Sequence, residues 1–134
     1  MFQQPTLDKD LTVRQNLLYA AALHGLSGKQ AHRAIERALE RLDMQQRAHE
    51  TVRSLNDGHI RRTEIARALI HEPQVLLLDE PTVGLDAETR RMITDHAHKI
   101  TLEQGITVLW ATHLVDEVLP DDQLVILHLS LIHI

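Results

Sequence analysis

Residues 75 to 86 read Val-Leu-Leu-Leu-Asp-Glu-Pro-Thr-Val-Gly-Leu-Asp, and no other stretch constrains the fold as tightly. An apolar run without polar alternation, Val75 to Leu78, predicts a strand buried on both faces, as in a parallel sheet. Pro81 and Gly84 stop it. Asp79 and Glu80 are therefore expected at the carboxyl end of a core strand, where open α/β sheets bind ligands. A strand that merely ends in solvated acids has the same twelve residues, so the flanking segments decide.

Upstream, Phe2-Gln3-Gln4-Pro5 reads as a strand end running into a loop. Thr12 and Gln15 have capping-box spacing at the start of a helix whose apolar face is Leu17, Leu18, Ala21 and Ala22, with Gly25 suited to the position just past its end. Ser27 and Gln30 repeat the spacing, and Ala31, Ala34, Ile35, Ala38, Leu39 and Leu42 recur at helical intervals. Gly28-Lys29 is not a phosphate loop: that motif needs Gly where this chain has Leu23 and Ser or Thr where it has Gln30. Residues 43 to 54 read as a polar link. Leu55-Asn56-Asp57-Gly58-His59 then suits the entrance of a helix running from Ile60 to His71. Its free amides form either an ordinary cap or an anion site.

Downstream, Asp86 caps a helix from about Ala87 to Gln104, with Glu88 in its first turn, and Gly105 ends it. Ile106 to Ala111 is the next strand, with Thr112-His113 just beyond. A short helix, Leu114 to Leu119, ends at Pro120, and Asp121-Asp122 turn the chain into a last strand, Leu124 to His128. Strand, helix, strand, helix, strand is the pattern of a parallel sheet with right-handed crossovers.

Composition removes several classes. A length of 134 residues fits one domain with a real core. A net charge of -5 and an aromatic content of 2% argue against a nucleic-acid surface and against base stacking. No Cys means no disulfide frame and no thiolate metal site. His96 and His98, two apart on a helix, point different ways and make a poor metal pair. No apolar run approaches a membrane span.

Read in order, these features resemble the nucleotide-binding subunit of ABC transporters over about residues 1 to 128, with wording closest to single-domain exporter ATPases. Gln3 matches the Q-loop glutamine, residues 55 to 59 the signature motif, Asp79-Glu80 the Walker B end, Val83-Gly84-Leu85-Asp86 the D-loop, and His113 the switch histidine. Each motif is weak alone; five in order are specific. The resemblance implies an α/β fold, part of a RecA-like P-loop NTPase with an inserted helical subdomain at about 5–72 and the second part of the ATPase core at 73–128. It implies ATP and Mg²⁺ as cofactors, with Asp79 and Gln3 at the metal. Glu80 would activate or orient the attacking water, and His113 would contact the γ-phosphate and align Glu80. Asn56, Asp57, Gly58 and His59 would cap the ATP held by a second nucleotide-binding subunit, which Asp86 would also meet. A transmembrane permease would be the other partner, with the protein peripheral on the cytoplasmic face of the membrane and no nucleic acid involved.

Three departures shape the expectation. The family's usual signature is Leu-Ser-Gly-Gly-Gln, so Asp57 places a carboxylate where phosphate should approach. Like charges about 4 Å apart at an effective dielectric of about 20 repel by about 4 kcal/mol, which predicts weakened closure on ATP. The family's first strands and Walker A loop have no counterpart here, so the chain by itself is expected neither to bind ATP tightly nor to fold stably. Residues 129 to 134, Leu-Ser-Leu-Ile-His-Ile, leave the family pattern and read either as a non-native tail or as a short strand. Two alternatives stay open: a non-transport ABC ATPase, and a degenerate partner subunit kept for dimerisation.

Overall fold

The computed structural model describes residues 7–128 and 131–133. Helix α1 (Val13–Leu23) begins with the expected reciprocal cap. Thr12 Oγ1 accepts from the Gln15 N–H at 3.0 Å, and the Thr12 N–H donates to Gln15 Oε1 at 2.9 Å. Gly25, at φ +76°, closes the helix: its N–H donates to Ala22 O and the Leu26 N–H to Ala21 O. Buried Asn16 fixes the approach to this helix, accepting from the Asp8 N–H at 2.7 Å and donating to the Asp8 and Thr12 carbonyls.

Helix α2 (Gly28–Arg41) buries Ala31, Ala34, Ile35, Ala38 and Leu39, the stripe its spacing predicts, with Leu42 just past its end. The second capping box does not form. Gly28 enters the helix at φ +56°, off the geometry that a capping side chain needs, and Ser27 makes no side-chain cap bond. Nor is the segment from 43 to 54 merely a polar link. It makes two short 3₁₀ turns, Gln45–Arg47 and Val52–Ser54, and sinks Met44, Ala48 and Val52 into the core, while Thr51 pairs with Thr12.

Helix α3 (Asp57–Leu69) starts three residues before the expected Ile60, because Asn56 is its cap. Strand β1 (Val75–Asp79), helix α4 (Ala87–Gln104) and strand β2 (Thr107–Ala111) then form a β-α-β unit. The two strands pair in parallel, from Val75 opposite Thr107 to Asp79 opposite Ala111. Gly105, at φ +65°, ends α4 as its position predicts. One apolar core joins α1, α2 and α3 to Leu76 of β1, Ile93 and Ile100 of α4, and Ile106.

Three expectations need correction. Strand β1 is covered on one face only: Leu76 is 5% exposed, whereas Val75 and Leu77, with Leu109 of β2, are 55%, 69% and 64% exposed. Helices pack against the Leu76 face, and among the described residues nothing covers the other. The helix expected at 114–119 is a single 3₁₀ turn, Val115–Glu117. The last strand, β3 (Ile126–His128), does not join the parallel sheet. It pairs antiparallel with β4 (Leu131–His133), Ile126 opposite His133. Among the described residues, no helix is long and apolar enough to cross a membrane.

The core position Ile35 gives a direct check. Ile35→Ala should destabilise the protein by about 2–5 kcal/mol through the cavity it leaves. Leu102→Ala, at an 86% exposed site, should change stability by less than about 0.5 kcal/mol. Urea unfolding of the two variants, each made in the complete protein, measures the contrast.

Candidate active site

The parallel register places the ends of β1 and β2 side by side, and the site grows from those ends. Beyond Asp79 and Ala111 the ladder gains one more bond, from the Glu80 N–H to Ala111 O at 2.8 Å. Glu80 there adopts φ +50°, in the left-handed region that a non-glycine residue enters at a cost of order 1–2 kcal/mol. That turn aims its carboxylate across the sheet end at His113, whose Nδ1 lies 3.0 and 3.1 Å from the two carboxylate oxygens. The hydrogen bond and charge of Glu80 raise the His113 pKa above the ordinary histidine value. Asp79 is exposed beside this pair, and its carboxylate has no side-chain or backbone partner among the described residues.

Two side chains, Arg61 and Glu117, hold the turn after Glu80. Arg61 of α3 donates from Nη1 to Pro81 O at 2.5 Å, with Glu80 O at 3.4 Å. The Thr82 hydroxyl donates to Glu117, and the Trp110 indole N–H donates to the other oxygen of the same carboxylate at 2.9 Å. Burial disfavours the charged form of Glu117, but hydrogen bonds from Thr112, Thr82 and Trp110 outweigh it and hold the carboxyl below its usual range. Glu117 thereby ties the 80–86 turn to β2 and to the segment carrying His113. At the far end of the turn, Asp86 accepts from the Thr89 N–H at 2.8 Å and caps α4. That bond keeps the Asp86 carboxyl below its ordinary pKa.

The entrance of α3 lies against the first turn of α4. A Cβ built on buried Gly58 would meet Thr89 Cγ2 at 2.5 Å, so this close approach requires glycine. Asn56 Oδ1 accepts from the His59 N–H at 2.8 Å and is therefore engaged by its own helix. Asp57 is exposed in the first turn, on the side that the helix dipole favours for an anion. Burial, together with the nearby Arg47 and Arg62, pushes the His59 pKa below the ordinary histidine value.

Of the residues singled out in the sequence, Asp79, Glu80 and His113 meet at one sheet end, and the 56–59 helix entrance adjoins the helix that Asp86 caps. Gln3 lies outside the described residues. Arg61, Thr82, Trp110 and Glu117 were not anticipated. A lone Trp in an otherwise aliphatic strand was the available signal, since its buried indole N–H needs an acceptor. His98 of α4 is occupied by Asp122, at 2.9 Å, and by the Thr94 carbonyl.

Two adjacent carboxylates at the end of a parallel β-α-β unit fit an α/β fold of the RecA-like P-loop NTPase class, and known folds agree. The cbiO1 protein of Clostridium perfringens, part of the ABC transporter complex cbiONQ, superposes with a TM-score of 0.76 at 32% identity, over 81% of this chain and 43% of its own. An ATP-binding cassette of an ABC transporter in its ADP conformation superposes with a TM-score of 0.74 at 25% identity, over 87% of this chain and 50% of that one. The sequence family described as ABC transporter matches residues 1–83. Nod factor export ATP-binding protein I of Burkholderia lata is 39% identical over 115 residues, 86% of this chain and 38% of its own length. The Rhizobium johnstonii protein of the same name is 38% identical over 115 residues, 86% of this chain and 37% of its own. The chain belongs to the ABC transporter family, and it spans under two-fifths of the length of these curated relatives.

Two outcomes check this geometry. Gly58→Ala should destabilise by about 1–3 kcal/mol through overpacking against Thr89, read by thermal or urea unfolding. Because Glu80 raises the His113 pKa, their pairing is complete below the ordinary histidine range while Glu80 stays ionised. It is lost as pH rises through the raised value. In Glu80→Gln the NMR titration midpoint of His113 should fall toward the ordinary value.

Proposed function

We propose that this chain is the portion, from the Q-loop glutamine Gln3 onward, of an ATP-hydrolysing subunit that drives an ABC transporter. The single observation that carries the reading is the contact between Glu80 and His113 across the ends of two parallel strands. Hydrolysis of a phosphoanhydride needs water positioned in line and charge neutralised, more than it needs covalent help. Glu80 orients the attacking water and accepts its proton on the carboxylate. His113 holds Glu80 in place and offers its other ring nitrogen to the γ-phosphate. Asp86 meets the neighbouring subunit. The amides of Asp57 and Gly58, with His59, face the nucleotide of that neighbour, and Asn56 keeps them aligned by capping their helix.

The donor set fits magnesium. Asp79 offers an exposed hard oxygen, and no group of three or more His, Cys, Asp or Glu side chains converges on one point among the described residues. A cation that keeps much of its water and leans on phosphates needs only such a partial shell. Asp79 would hold Mg²⁺ beside the ATP phosphates, with Gln3 as the second protein group, and the ion would supply charge neutralisation. On this reading residues 5–72 form the helical subdomain and 73–128 the second part of the ATPase core. Residues 129–134, which leave the family pattern, are read as a non-native tail even though Leu131–His133 pair with β3. Relatives named for export support an exporter-type assembly with a transmembrane permease and a second nucleotide-binding subunit, peripheral on the cytoplasmic face of the membrane. Exposed Asp57 favours one competing reading, a subunit whose own signature serves dimerisation better than catalysis.

In the complete ATPase, Glu80→Gln should lower ATP turnover by about 10²–10⁴-fold while ATP still binds. Asp57→Gly should raise turnover and lower the ATP concentration needed for dimer closure, by removing about 4 kcal/mol or less of like-charge repulsion. Steady-state ATPase and nucleotide-binding assays measure both. Unaltered turnover in Asp57→Gly would remove the competing reading and the charge argument together.

A further inference from the structure

Arg61 joins two parts of the molecule that the proposed reaction uses at different nucleotides. It lies one turn inside α3, three residues after Gly58, and its guanidinium reaches the carbonyls of Pro81 and Glu80 in the turn that leaves β1. Its side chain is 25% exposed, Nε lies 3.4 Å from Glu64 on the same helix, and Pro81 is buried. Glu80 keeps φ +50° only because its surroundings over-determine it. Its N–H is fixed by Ala111 and its carboxylate by His113. Its carbonyl accepts from the Val83 N–H within the turn and faces Arg61. Among the described residues, Arg61 is the part of this clamp that comes from α3.

We infer that Arg61 is a positioning residue, through which α3, whose entrance caps the partner's nucleotide, holds the Glu80–Pro81 backbone in the conformation that aims Glu80 at His113. The inference rests on the function proposed above. Both carbonyls are met by the terminal Nη1, at 2.5 and 3.4 Å, and a lysine ammonium sits on a shorter stem without the rigid guanidinium plane that holds Nη1 there, so lysine retains the charge and loses part of the clamp. Without the clamp, the backbone at Glu80 relaxes toward negative φ, and the carboxylate swings away from His113. A shift of α3 on the partner's nucleotide reaches Glu80 by the same contact, so the two ATP sites of the dimer are mechanically joined within each subunit.

The test compares wild type, Arg61→Lys and Arg61→Gln in the complete ATPase, by steady-state kinetics and by NMR titration of the His113 ring. Arg61→Gln should lower kcat about 10–100-fold with the KM for ATP changed less than about threefold, since positioning and not binding is lost. Arg61→Lys should fall between. In both variants the His113 titration midpoint should drop toward the value of Glu80→Gln. Wild-type kcat in Arg61→Gln, or an unmoved His113 midpoint in Arg61→Lys, would overturn the inference. Should Arg61→Gln not fold, Arg61→Lys with a wild-type melting temperature decides. An inactive wild type would instead defeat the functional reading, and the His113 titration would still judge Arg61.

Discussion

Asp79 stands opposite Ala111, and from that one parallel pairing the positions of Glu80 and His113 follow. A slip of one residue would turn every side chain of β1 to the other face. Leu76 would leave the core, and Glu80 would lose both the Ala111 carbonyl and the His113 ring. Two things pin the register. The Leu76 face packs on Ile93, Ile100 and Ile106, and α4 returns the chain with capped ends, Asp86 at its start and Gly105 at its finish. Apolar burial at the strand therefore fixes a polar contact at its tip.

The polar contacts beyond the strand ends divide the work. Glu117 gathers Thr82 and Trp110 onto one buried carboxylate and so docks the 80–86 turn on β2. A buried carboxylate is costly when unpaired, and this one is supplied with donors. Arg61 fastens the same turn to α3. Between them sits Glu80 in a backbone conformation that is unfavourable on its own. Strain of that kind persists where neighbouring contacts insist on it, and it is concentrated here at the residue with the most demanding proposed role. Gly58 serves the same end, since only a missing Cβ lets α3 lie on the first turn of α4.

Much of this was legible before any coordinates. The capping box at Thr12, the glycine stops at Gly25 and Gly105, the apolar stripe of α2 and the Asp86 cap are local signals, and each appears where its spacing puts it. The alliance of Asp79, Glu80 and His113 was legible only as an ordered set of motifs, because 33 residues separate Glu80 from His113 and no periodicity joins them. What escaped was non-local or depended on a neighbour. Arg61 carries no local signal that sets it apart from Arg62 and Arg67 on the same helix. Glu117 looked like part of a short helix. The apolar run of β1 announced burial on both faces, yet burial is a property of what packs against a strand, and the described residues cover one face. Alternation of elements predicts a parallel β3, since it does not reveal the antiparallel partner that pairs with it.

The central claim is that Glu80 and His113 act as one unit set by the strand register. A double-mutant cycle in the complete ATPase tests it most directly, comparing Glu80→Gln, His113→Ala and the double variant with wild type. Residues that act together are grossly non-additive, so the double variant should lose little more kcat than the worse single variant. Losses that multiply, each variant contributing its full factor independently of the other, would contradict the account.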